Sequence, residues 1–316
     1  MSAPTLPVVI RNVGIFVVNS VVYYFDQTGA KVKTNRGIEI VKDDFFGAIQ
    51  NRAKGSPVVD ITFTPTGLIR NLAATIPFSG SGMNTWYAGQ SIFNGSGFFI
   101  DKGSNKSLFA KAGILKPPTM YLHPTKNFFG PMTVRCINDV TLSPTNAAVL
   151  KTISTTAFTD VSFDQTKIKG DVYSAALGSR STPYSAMGGR DGFTIEPIYN
   201  TYDVEDANVG TADTRIAEVG FKVMFAPNNL TEAQLDGLAN WEGTNAMQAG
   251  DDVSKLSEDL VITGGPVIAT LHSAGVVSGE NGWGAKLDRN GNVEFVAPIK
   301  FTTGVPQSVL DLTVNI

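Results

Sequence analysis

Apolar and polar residues alternate through residues 58–63 (VVDITF) and again through residues 217–225 (AEVGFKVMF). Period two marks a strand with one face in a core and one in water. Residues 13–25 form a longer β-branched and aromatic run, read as a strand or hairpin arm. It is expected to turn at Gln27-Thr28-Gly29 and return through residues 30–33. Further strands are expected over residues 37–42, 119–123, 132–137, 193–199, 260–271, 284–287, 293–301 and 309–314. Pro65 is expected to end the strand at 58–63, because proline donates nothing to a ladder. For the same reason Pro197 marks an edge or a bulge. Asn290-Gly291 predicts a hairpin turn, since both residues accept positive φ.

Four short helices are expected among these strands. One starts at Asp43 or Asp44 and runs through Arg52, with the carboxylate as N-cap. One covers residues 68–75 after a cap at Thr64 or Thr66. One covers residues 143–153. The last runs from a capping box at Asn229-Leu230-Thr231-Glu232 to Asn240. Two stretches break the periodicity and read as arms, residues 77–106 and 170–192. The first is Gly/Ser/Asn-rich with embedded aromatics, among them Trp86, Tyr87, Phe98 and Phe99. The second carries Arg180, Tyr184, Met187 and Arg190. Both arms are expected to be mobile in the free subunit and to dock on neighbouring subunits. These seven aromatic and basic residues (without Met187) are the candidate assembly residues.

The pattern also repeats. Phe63-Thr64-Pro65 and Leu68 return as Phe225-Ala226-Pro227 and Leu230, 162 residues later. Phe25-Asp26-Gln27-Thr28 returns as Phe163-Asp164-Gln165-Thr166. Ile38-Glu39 returns as Ile195-Glu196, Leu122-His123 as Leu271-His272, and Val149-Leu150 as Val309-Leu310. Five matches in order predict a duplicated domain, residues 1–155 and 156–316, since the period is too long for a solenoid unit. A chain of 316 residues accommodates two domains on size alone.

Composition sharpens this. Charged residues are 17% of the chain, and Gly alone contributes 32 positions. That is a turn-rich β protein with a weakly charged surface suited to burial against other subunits. Charge divides unevenly: residues 1–150 carry 14 Lys+Arg against 7 Asp+Glu, and residues 151–316 carry 11 against 21. A basic half and an acidic half attract each other head to tail. Cys136 is the single cysteine, so an intrachain disulfide and a cysteine metal cluster are both excluded. No apolar run approaches the ~18 residues of a membrane helix. A soluble, unsecreted protein is expected.

Chemistry is sparse. His123 and His272, the only histidines, each follow a Leu in an expected strand and read as structural. Asp288, Asn290 and Asn292 imitate the start of a calcium loop. Ile299 stands where its bidentate Glu is needed, and Val293 where its Gly is needed. Gly103-Ser104-Asn105-Lys106-Ser107 lacks the upstream Gly of a phosphate loop. No Gly-x-Ser-x-Gly elbow occurs, and basic residues form no stripe interleaved with aromatics. Neither an enzyme, a cofactor, a metal site nor specific nucleic-acid binding is expected. A carbohydrate-binding module would rest on Trp86, Tyr87 and Asp101 in one loop.

VDITFTPTGLIRNLAATI and VGFKVMFAPNNLTEAQLDGLA each combine a strand, a polar or Pro break and a short Leu-bearing helix. Together they resemble the centre of the tail tube proteins of long-tailed bacteriophages, over roughly residues 35–80 and 190–245. The resemblance implies a mainly β protein of two tandem β-sandwich domains, each with one helix and long loops. It implies a structural virion protein, made in the host cytoplasm. Trimers of this duplicated form would build pseudo-hexameric rings. The rings stack into a tube that passes double-stranded DNA without binding it specifically and contacts other tail proteins. A decoration or baseplate protein is the neighbouring alternative.

Overall fold

The computed structural model describes residues 14–18, 21–35, 38–43, 45, 47–53, 58–66, 93–101, 106–123, 128–137, 150–153, 173–177, 184–186, 192–206, 210–225, 227–228, 258–264, 267–279, 293–298, 301–302, 305–306 and 309–314. Among these residues every regular element is a strand and every pairing is antiparallel, so the fold is mainly β. The first half holds β1 (Gly14–Val18), β2 (Val21–Asn35), β3 (Ile38–Asp43), β4 (Gly47–Ala53), β5 (Val58–Thr66), β6 (Phe93–Asp101), β7 (Lys106–Lys116), β8 (Met120–Leu122), β9 (Met132–Ile137) and β10 (Leu150–Ile153). The second half holds β11 (Tyr173–Leu177), β12 (Tyr184–Ala186), β13 (Phe193–Asp206), β14 (Gly210–Phe225), β15 (Pro227–Asn228), β16 (Glu258–Gly264), β17 (Val267–Gly279), β18 (Val293–Pro298), β19 (Phe301–Thr302), β20 (Val305–Pro306) and β21 (Leu310–Val314).

In the first half the sheet order is β10-β7-β6-β1-β2-β5-β9, and β9 pairs back onto β7. The circuit closes, which removes most of the unpaired strand edge a small sheet would otherwise expose. Alternation decides what faces inward. Ile61 and Phe63 on β5, and Met132, Val134 and Cys136 on β9, are buried. Thr62 and Thr133 point the other way and share a hydroxyl hydrogen bond of 3.0 Å. The second half follows the order β15-β12-β11-β16-β17-β18-β14-β13-β8, with β21 on β17. Its core holds Phe193, Ile195, Phe221, Val223, Phe225, Leu260, Ile262 and Leu271.

The same order of strand pairings recurs in the second half, in matching register at many positions. Gly14↔Asp101 is matched by Tyr173↔Gly264, and Asp101↔Lys106 by Gly264↔Val267. Leu115↔Val134 is matched by Val276↔Phe295, both residues 161 positions on. Phe63↔Met132 is matched by Phe225↔Val293, and Leu150↔Ala110 by Leu310↔Leu271. Even the short β12–β15 pair has a precedent: Ala186↔Pro227 stands where Phe25↔Pro65 stands. These registers support two of the sequence matches, at Phe63/Phe225 and Leu150/Leu310. They correct others. Ile195 opposes Val223 as Val32 opposes Ile61, so Ile195 matches Val32 rather than Ile38. Leu271 matches Ala110 rather than Leu122, and Phe25 matches Ala186.

Several expected elements change. The helix from Asp43 to Arg52 is instead the β3–β4 hairpin, closed at Asp43↔Gly47 with Gly47 at φ +79°. Only an unhindered residue takes that φ cheaply, and β-branched Ile38, Ile40 and Val41 favour the ladder it permits. Gln27-Thr28-Gly29 is a bulge rather than a turn: β2 runs straight on, with a register shift between Phe25 and Ala30. Gly29, at φ +70°, absorbs the extra residues. β5 continues through Pro65, which lies one residue from its end, where a missing N–H removes little. Residues 150–153 form β10 instead of ending a helix. Thr211, Ala212 and Asp213 belong to β14. Pro197 lies on β13 beyond the three residues that β8 covers, at an edge as expected. The expected helices at 68–75 and 229–240, the strand at 284–287 and the Asn290-Gly291 turn lie outside the described residues.

Candidate assembly interface

Among the described residues two places join the halves, and both are built by strand register. The first is β8. It leaves β7 through Thr119 and the buried Pro117 and Pro118, whose missing N–H groups cannot extend the β7 ladder. Met120 bridges Phe129 in antiparallel fashion, with Tyr121 N–H donating to Phe128 O (2.7 Å) and Gly130 N–H to Thr119 O (2.8 Å). Phe128 and Phe129 meet edge to face at 4.5 Å. β8 then adds to the far half, pairing Leu122 with Phe193, Tyr121 with Thr194 and Met120 with Ile195. Met120 and Leu122 are wholly buried there, as are Phe193 and Ile195. Gly192, at φ +60°, is required: a Cβ at that position would stand 2.3 Å from the Leu122 carbonyl oxygen.

The second joint is polar. Arg135 on β9 donates from its guanidinium to Asp203 Oδ2 on β13 at 2.5 Å, and Thr214 Oγ1 donates to Asp203 Oδ1 at 2.8 Å. Asp203 and Thr214 are opposed in the β13–β14 ladder, so the strand register sets the second bond. Thr214 is fully buried, and this bond satisfies its hydroxyl. Lys116 lies beside this pair. Burial and the Arg135 charge push its amine pKa below the usual lysine range, against the opposing pull of Asp60 and Asp203.

A third cluster lies within the second half. His272 on β17 places Nε2 2.9 Å from Asp311 Oδ2 on β21 and Nδ1 3.1 Å from Asp259 Oδ2 on β16. Burial alone would lower its pKa. The Asp311 hydrogen bond and the two carboxylate charges outweigh burial and hold it above 6.5. A His272 ring held between two carboxylates ties three strands together and leaves neither ring nitrogen open for proton transfer. Among the described residues no group of three or more His, Cys, Asp and Glu is arranged to hold a metal ion. Cys136 is buried, and desolvation, with Asp60 nearby, pushes its thiol up to about 12, far from a nucleophile.

Of the candidate assembly residues, Phe98 and Phe99 are not in a loop. They belong to β6 and pair with both β1 and β7, because apolar residues 98–100 continue a ladder that the Gly/Ser context obscured. Asp101 ends the same strand. Tyr184 opens β12 and pairs with Ala175, so the 170–192 arm contains β11 and β12. Trp86, Tyr87, Arg180 and Arg190 lie outside the described residues. Sequence reading missed Arg135, Asp203 and Gly192. Only Gly192 carried a signal, a glycine immediately before an apolar strand.

Two antiparallel hairpins, β13–β14 and β3–β4, carry exposed aromatic side chains. Large apolar side chains are exposed on both: Phe45 (88%) at the β3–β4 turn and Tyr202 (51%) on β13. Among the described residues no helix is long and apolar enough to cross a membrane. The chain matches no protein-family model and no curated protein sequence.

Proposed function

We propose that this chain is a structural virion protein, a duplicated tail tube protein of a long-tailed bacteriophage. Its domains are residues 1–155 and 156–316, each a flattened β-sandwich carrying one short helix. One observation carries the reading: a single strand-pairing scheme is used twice in one chain, and a strand of the first copy adds to the sheet of the second. A unit that joins its own repeat by strand addition is suited to continue the same joint between chains. Rings made this way hide sheet edges. The opposite charge balances of the halves favour head-to-tail contact. Exposed Phe45 and Tyr202 supply apolar contacts for neighbouring rings and other tail proteins.

In this reading three chains close a pseudo-hexameric ring and rings stack into a tube. The protein has no catalytic role and needs no cofactor. Double-stranded DNA passes through a lumen that must bind it weakly, which a chain of net charge −3 favours. Assembly takes place in the host cytoplasm, and the product resides in the virion tail. Negative-stain electron microscopy of the purified protein tests this: stacked rings with an axial lumen are expected. Monomers, or isolated trimers without a lumen at every concentration and ionic strength, would overturn it and favour a decoration or baseplate protein.

A further inference from the structure

The β3–β4 hairpin repeats the outer end of β13–β14. Ile38↔Ala53 recurs as Thr201↔Ile216, and Asp43↔Gly47 as Asp206↔Gly210, each residue 163 positions on. All six β3–β4 pairs take this step. So does their register shift, between Val41 and Lys42 and again between Val204 and Glu205. Ile40 and Asn51 therefore stand where Asp203 and Thr214 stand. The strand that receives Asp203 repeats as well. Val59↔Cys136 through Phe63↔Met132 return as Phe221↔Ala297 through Phe225↔Val293, with no shift in either run. Within them Asp60↔Arg135 becomes Lys222↔Val296, so Val296 stands where Arg135 stands. The second half's hairpin is seated on the first half, through Asp203 and Arg135. The first half's own hairpin differs. Among the described residues β3 and β4 pair only with each other, Lys42 is exposed, and Phe45 at their turn is 88% exposed.

We propose that the β3–β4 hairpin of one chain lies on β18 of a second copy, with Ile40 against its Val296. The two positions change character together. The joint within the chain sets Asp203 against Arg135, charge on charge, and its repeat sets Ile40 against Val296, apolar on apolar. A change at one position alone would leave a charge facing an apolar side chain, which is costly where water is excluded. The partner is a second copy because the step is directional. It seats the second half's hairpin on the first half of its own chain. Taken once more, it seats the first half's hairpin on the second half of the next chain. Such a contact is heterologous, head to tail, and generates a ring or a filament from one repeated operation. The inference rests on the ring-building reading above and names a contact that joins one chain to the next.

The test rebuilds the charged joint between chains. Full-length Ile40→Asp and Val296→Arg are made singly and together, and sedimentation reads the concentration at which multimers form. Each single variant is expected to raise that concentration at least ~10-fold, because it sets a charge against an apolar partner. The double variant is expected to recover most of the loss, because it restores a carboxylate facing a guanidinium. Folded single variants that assemble like the wild type, or a double variant no better than the worse single, would overturn the proposal. Circular dichroism and Tm identify a variant that misfolds, and a second measurement then decides. A full-length chain carrying Ile40→Cys and Val296→Cys is treated with a short bismaleimide under assembly conditions. Cys136 is buried and stays out of the reaction. A ladder of covalent multimers is expected from the double variant and none from either single variant. An assembled double variant without multimers, or a link within one chain at high dilution, would overturn the proposal. Tubes that form without the crosslink sink this contact and leave the tube reading; crosslinked multimers that never form a lumen do the reverse.

Discussion

Arg135 and Asp203 are 68 residues apart in the chain, yet the Arg135 guanidinium and the Asp203 carboxylate form the ion pair that ties β9 to β13. The second carboxylate oxygen accepts from Thr214, which orients the carboxylate towards Arg135. Asp203→Ala strips a partner from both Arg135 and buried Thr214. A loss of about 1–3 kcal/mol is expected in urea denaturation. In a double-mutant cycle with Arg135→Ala the coupling should be about 1 kcal/mol. Additive effects would show that the two residues do not cooperate.

His272 gives the second half a pH dependence of definite sign. Its folded pKa lies above 6.5, so its stabilising contribution is complete below that value and is lost as pH rises through the folded pKa. The wild-type chain should therefore lose stability as pH rises above 6.5 and through the folded pKa. His272→Gln should flatten that part of the profile. A profile unchanged by the substitution would remove the role.

Phe193 and Phe225 pack ring on ring in the second core, with centroids 4.7 Å apart and planes at 45°. Both are buried. Phe225→Ala is expected to destabilise by about 3–5 kcal/mol, the usual range for an aromatic deleted from a packed core. Phe63→Ala should do the same in the first half. Calorimetry of both variants reads whether the halves unfold together or apart.

Gly192→Ala and Gly29→Ala separate strain from collision. Both place a side chain at positive φ, which costs roughly 1–2 kcal/mol. Only the first also drives a Cβ against Leu122 O. In the unassembled chain Gly192→Ala should therefore be the more damaging, and hydrogen exchange at Tyr121 and Thr194 should rise. Equal Tm values for the two variants would contradict the contact.

Cys136 should be inert in the folded protein. It is buried and its thiol titrates at about 12, so at neutral pH almost no thiolate exists and none is reachable. Dithionitrobenzoate should react with one equivalent per chain only after denaturant is added. Rapid labelling of the native protein would show that β9 opens.

Strand identity was legible in the sequence wherever one face is buried and the other wet. Residues 58–63, 132–137 and 217–225 show it, because a period of two is a local property. A recurring pairing pattern was legible too, in Phe63/Phe225 and Leu150/Leu310, which hold matching ladder positions. Its register was not. Ile38/Ile195 and Leu122/Leu271 are similar strings at non-equivalent ladder positions, and only cross-strand pairing tells them apart. Nor could local signals settle residues 43–52 or 93–101. Asp43 and Asp44 cap helices well, and Gly/Ser context favours loops, but hydrogen bonding to strands far along the chain outweighs such preferences of a kcal/mol or less. The joint was the least visible part. Arg135, Asp203 and Gly192 have ordinary sequence neighbours. They acquire meaning only when β8 and β9 of one half lie against β13 of the other, because ion pairs and close backbone approaches depend on distance in space rather than separation along the chain.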